Sequence, residues 1–109
     1  MGEAFALVRK YDVAPEVLYE VLTEGLFSAS AYKVYGRMIV DEAYERVGFA
    51  AVLGLKDANL ILAAGELARV PLPSANHLRD RLLSAIAHGD GDKDWAVVAR
   101  EQAHASGLK

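Results

Sequence analysis

Every periodic stretch of this 109-residue chain repeats its apolar residues at three- and four-residue spacing, and none alternates apolar with polar long enough to make a confident strand. That pattern constrains the fold more than any other feature. Amphipathic helices must bury their stripes against one another, so the expected class is all-α, with about six helices joined by short connections. Glu3 to Tyr11 places Ala4, Phe5, Leu7, Val8 and Tyr11 at helical spacing with no capping residue ahead of it. Pro15 opens a second helix that runs to about Thr23 and stops at Gly25. Ser28 or Ser30 is expected to cap a third, from Ala31 to about Val40. The longest runs from about Ala51 to Val70, ended by Pro71-Leu72-Pro73. Ser74 is expected to cap a fifth with core face Ala75, Leu78, Leu82, Ala85 and Ile86; a last helix starts after Asp92 and covers Trp95 to about Ala105.

The length is that of one domain, and a chain of this size can bury about 65% of its unfolded surface. Twelve Lys and Arg against 15 Asp and Glu leave a formal charge of −3, which argues against nucleic acid or an anionic membrane as the main partner. No apolar run is long enough for a membrane span, no secretory leader precedes residue 20, and the absence of cysteine excludes disulfides, thiol catalysis and cysteine-bound metals. A cytoplasmic protein is expected. Counting glycine and leaving out tyrosine, the apolar share is about 57%, against the usual 45–50%. A small domain has little interior, so part of that excess is expected at a contact surface.

Several reactive patterns fail on spacing. Gly48, Gly54 and Lys56 do not form a phosphate loop, and no Gly-x-Gly-x-x-Gly occurs. Ser74, His77 and Asp80 share one helix, where a capping serine turns to its own backbone. Asp90, Asp92, Asp94 and Glu101 stand at calcium-loop positions, but the position that needs glycine is Trp95, so a helix start with acids at its positive end is the simpler reading. The informative residue is Asp57. Leu60, Ile61, Ala64 and Ala68 follow it at helical spacing, so its carboxylate falls inside an apolar stripe. There it is either a paired or hydrogen-bonded structural group or the mouth of a site. Lys56 falls on a different, polar stripe with Asn59, Ala63 and Glu66, and is expected to be accessible to an anionic ligand.

At these residues the chain resembles the β-hydroxyacid dehydrogenases, the family of 3-hydroxyisobutyrate and tartronate semialdehyde dehydrogenases. Leu55-Lys56-Asp57-Ala58-Asn59-Leu60 is similar to that family's Lys-Asp-Leu signature. In order along the chain stand its companions: Glu3 to Leu7, Gly25 to Ser28, Gly48-Phe49, Val70 to Pro73, and the Gly89 to Trp95 run. Ala58 departs from the usual leucine, and Ala63 from a position where an acid often stands. The resemblance implies a C-terminal helical domain like that of 6-phosphogluconate dehydrogenase-like proteins, normally preceded by a dinucleotide-binding domain. It implies that Lys56 reaches the bound NAD or NADP, and that Phe49 and Asp57 border the nicotinamide and substrate cleft. The family's glycine-rich fingerprint, its Ser-Gly-Gly segment and its catalytic lysine all precede the matching region, so the chain is expected to be a C-terminal fragment.

Two functions from different classes follow. One is the cofactor-closing and oligomerising domain of an NAD(P)-dependent oxidoreductase acting on small 3-hydroxy acids or the related semialdehydes. The other is a stand-alone, non-enzymatic helical interaction or dimerisation module, since fold alone does not carry chemistry. Under the first, the 109 residues alone are expected to be inactive and to hold no cofactor, while associating as a dimer or higher homo-oligomer; no metal ligand and no catalytic residue is assigned.

Overall fold

The computed structural model describes all 109 residues. It is all-α, as expected: α1 (Gly2–Lys10), α2 (Pro15–Glu24), α3 (Ser30–Val40), α4 (Ala51–Ala68), α5 (Pro73–Ala87) and α6 (Val98–Ala105), the last entered through a 3-10 turn at Trp95–Val97. No strand forms; extended backbone pairs at one place, Ala50 against Asp94. The chain divides into two compact units, residues 1–44 with 99–109, and residues 45–98.

In the first unit small residues permit close helix approach. A Cβ on Gly2 would stand 3.1 Å from the Ala99 Cα, and one on Gly36 would touch the Tyr19 ring at 3.0 Å. Phe5, Ala6, Thr23, Tyr44 and Ala103 are buried, and Arg100 lies over the Tyr44 ring at 4.9 Å. Thr23 donates its hydroxyl back to the Tyr19 carbonyl at 2.8 Å, which satisfies a buried polar group within its own helix.

In the second unit α4 packs on α5. The side of α4 that turns inward carries Ala51, Gly54, Ala58 and Gly65; Leu82 and Ala85 are the buried residues of α5. Leu82 and Val97 are fully enclosed, and Ala75, Leu78 and Ile86 are half-buried, so the expected core face of α5 stands.

Four boundaries differ from the expectation. Neither Ser28 nor Ser30 caps α3: Ala29 is the N-cap and Ser30 the first helical residue. Ser74 does not cap α5 either, because Pro73 occupies the first helical position, where its fixed φ suits the helix and its missing N–H is no loss. The side-chain cap lies instead at Asp94, two residues later than Asp92, and it accepts from the Ala96 amide at 2.9 Å. Finally, α4 stops at Ala68 rather than Val70. Arg69 turns left-handed (φ 58°), letting the Val70 amide donate to the Gly65 carbonyl at 2.8 Å before Pro71.

Candidate cofactor-contact site

The segment Gly48-Phe49-Ala50 leads into α4 alongside Lys93-Asp94-Trp95. The Trp95 amide donates to the Phe49 carbonyl at 2.8 Å, and the Ala51 amide donates to the Lys93 carbonyl at 2.8 Å. The Val52 amide reaches the Gly91 carbonyl at 3.1 Å. A helix begins with unsatisfied N–H groups. Here backbone carbonyls of residues 91 and 93 take the first two, so α4 needs no capping side chain, and Ala50 provides none.

Asp94 completes the join. It is 0% exposed. Its Oδ2 accepts the Gly48 amide at 2.9 Å and the Phe49 amide at 3.2 Å, while Oδ1 caps Ala96. Three backbone N–H groups around one carboxylate supply the compensation that a buried charge requires. Phe49 is half-buried, its ring edge-on to Trp95 at a centroid distance of 6.2 Å. Outside the turn, Lys93 pairs with the exposed Glu45 at 2.8 Å.

Lys56 and Asp57 follow in the second turn of α4. Lys56 is 63% exposed, as its polar stripe predicts, and Asn59, Ala63 and Glu66 are exposed with it. Its Nζ lies 3.7 Å from Asp57 Oδ1, an ion pair beyond hydrogen-bond reach. An open groove of about 440 Å³ runs past Lys56, lined also by Val52, Leu55, Asn59 and Leu60. Phe49 and Asp57 do not line it, so the three residues singled out in the sequence share one short stretch of chain rather than one cavity.

The reading of Asp57 as a buried structural partner is overturned. Its side chain is 51% exposed, and the apolar stripe around it faces outward: Leu60 is 63% exposed, and Ile61, Ala64 and Ala68 are exposed as well. Periodicity finds the stripe but not which side of the helix is covered. The small side of α4 lies against α5 because glycine and alanine let two backbones approach. Sequence reasoning also missed the second role of Asp94. It was legible as an acid at a helix start, but its tie to Gly48 and Phe49, more than 40 positions away, carries no local signal.

Residues 1–101 match the family described as NAD-binding of NADP-dependent 3-hydroxyisobutyrate dehydrogenase. The uncharacterized oxidoreductase YfjR of Bacillus subtilis (strain 168) is 34% identical over 100 residues, covering 92% of this chain and 35% of that protein. A crystal structure of 3-hydroxyisobutyrate dehydrogenase (ygbJ) from Salmonella typhimurium superposes with a TM-score of 0.83 at 26% identity, covering 92% of this chain and 35% of that one. The chain thus spans about a third of the length of each relative. With almost its whole length matched, its helical architecture shared and its Lys-Asp segment standing exposed behind the Gly48-Phe49 turn, the chain belongs to the β-hydroxyacid dehydrogenase family.

Proposed function

We propose that this chain is the cofactor-closing and oligomerising helical domain of an NAD(P)-dependent oxidoreductase acting on small 3-hydroxy acids or the related semialdehydes. The observation that carries the reading is Lys56: an exposed cation on a rigid helix whose ammonium has no hydrogen-bonding partner within the chain. The first amides of α4 are already taken by backbone carbonyls, so an anionic ligand at this end of the helix would be met by the lysine rather than by the helix terminus. These residues fit a dinucleotide. Lys56 would hold one of its phosphates, its loose pair with Asp57 leaving the ammonium's hydrogen bonds to the ligand, and the half-buried Phe49 ring would shield the nicotinamide side from water. When bound, the nicotinamide supplies or accepts the hydride exchanged with the substrate carbon. No acid/base residue is assigned to this chain.

The second half of the reading, self-association, is supported by the outward apolar stripe of α4. Leu53, Leu60, Ile61 and Leu67 are exposed along a helix about 27 Å long. A twofold homodimer is the simplest arrangement that covers it.

The test is Lys56→Gln in the protein that carries this domain together with a dinucleotide-binding domain. Losing one charge-assisted contact, roughly 1.5–3 kcal/mol, raises the cofactor KM by about tenfold or more. An unchanged cofactor KM and kcat, with the fold intact by circular dichroism, rejects the assignment.

A further inference from the structure

We infer that Asp94 is a positioning residue for Lys56, acting through the Gly48-Phe49 join that sets the start of α4; the inference rests on the function proposed above. Capping the 3-10 turn needs one acceptor, and Oδ1 provides it to Ala96. A serine or threonine would serve equally. The structure instead buries a whole carboxylate and directs its second oxygen to the amides of Gly48 and Phe49, residues that no helix cap requires. The neighbouring Trp95 takes the other backbone group of Phe49, its carbonyl, and stands edge-on to its ring. Both hydrogen-bonding backbone groups of Phe49, and one side of its ring, are therefore held by two consecutive residues.

The same join sets the start of α4, because the Ala51 and Val52 amides bond to Lys93 and Gly91 in the loop that leads to Asp94. Lys56 projects from the next turn, so the direction in which it leaves the helix depends on how that start is held. Glu45 and Lys93 close the outside of the join, but that pair is exposed on the Glu45 side and contributes little. The buried carboxylate is the element whose loss would let the turn move.

The experiment separates positioning from plain stability. Asp94→Ser keeps an acceptor for Ala96 while removing the oxygen that serves Gly48 and Phe49, and Asp94→Asn keeps the volume but turns an amide N–H₂ toward at least one donor. Each is made in the intact protein, alone and together with Lys56→Gln, and assayed well below its unfolding transition. The readouts are amide hydrogen exchange at Gly48 and Phe49, and the Kd for NADPH and for NADH by fluorescence titration. The expected result is faster exchange at both amides and a Kd raised about tenfold, the scale of a small misplacement of a contact group. With Lys56 already replaced, the same Asp94 change should add little, since both act on one interaction. Faster exchange with an unchanged Kd, while Lys56→Gln alone raises it, overturns the positioning role and leaves the proposed function standing. Full additivity of the two changes overturns it as well. If neither change moves the Kd, the cofactor-facing reading of Lys56 falls, and this inference with it.

Discussion

Replacing Gly54 and Gly65 with alanine, one at a time, should move stability in opposite directions although both are buried in the interior of α4. Alanine is favoured over glycine in a helix interior by about 0.8–1.0 kcal/mol, so both substitutions begin with the same gain. Their surroundings then decide. A Cβ on Gly54 would meet Trp95 Cβ at 3.4 Å and the two Leu82 δ-carbons at 3.5 Å, which is contact rather than collision. The methyl fills space against apolar neighbours, adding a fraction of the roughly 0.8 kcal/mol of a buried methylene. The net expectation is about 1 kcal/mol of stabilisation. A Cβ on Gly65 would lie 2.5 Å from Leu72 Cδ1, 3.1 Å from its Cγ and 3.0 Å from the Val70 carbonyl oxygen. The δ-carbon can swing away, but the carbonyl belongs to the turn held by the Val70–Gly65 hydrogen bond and followed by Pro71. Overpacking of this kind costs about 1–3 kcal/mol, so the net is a loss of roughly 1 kcal/mol.

Equilibrium urea unfolding followed by the fluorescence of Trp95, the chain's single tryptophan, reports on the unit that contains both glycines. The two variants should differ by about 2 kcal/mol with m unchanged, which corresponds to several degrees in Tm for each. A Gly65→Ala protein as stable as the parent, or a Gly54→Ala protein clearly less stable, would refute the packing argument.

Leu82→Ala removes a fully enclosed side chain between α4 and α5 and should cost about 2–5 kcal/mol in the same urea assay; a loss under 1 kcal/mol would mean the site collapses to fill the space. Asp57→Ala, by contrast, removes a half-exposed carboxylate with one loose ion pair, and stability should stay within about 0.5 kcal/mol. Leu67→Glu places a charge where the side chain is 88% exposed, so helicity by circular dichroism should hold. Sedimentation across a concentration series should then show weaker self-association than the parent, and an unaltered association constant would remove the α4 stripe from the interface.

Much of the candidate site was legible because its signals are local. Lys56 stands among Asn59, Ala63 and Glu66, and that company alone placed it in solvent, where it is found. Of the two readings left open for Asp57, the buried one failed for the same reason that its stripe was found. Leu60, Ile61, Ala64 and Ala68 do line one side of α4, but hydrophobic periodicity assumes that the larger apolar side is the covered one. Within this chain the narrower side of Gly54, Ala58 and Gly65 is buried instead. The serine caps failed for a different reason: several residues in each stretch could begin a helix, and proline at the first turn outranked Ser74.

The sequence by itself determined the class of fold, the order and approximate limits of the helices, and the exposure of Lys56. Each of these depends on residues within a turn or two of one another, through the i to i+4 hydrogen bond and the spacing of side chains along a helix. Only the tertiary structure decided which side of α4 meets α5, and that the carboxylate of Asp94 holds the Gly48-Phe49 turn. Those depend on how closely two backbones approach and on which unsatisfied amides fold back beside a buried charge. Neither quantity exists until distant segments are brought together.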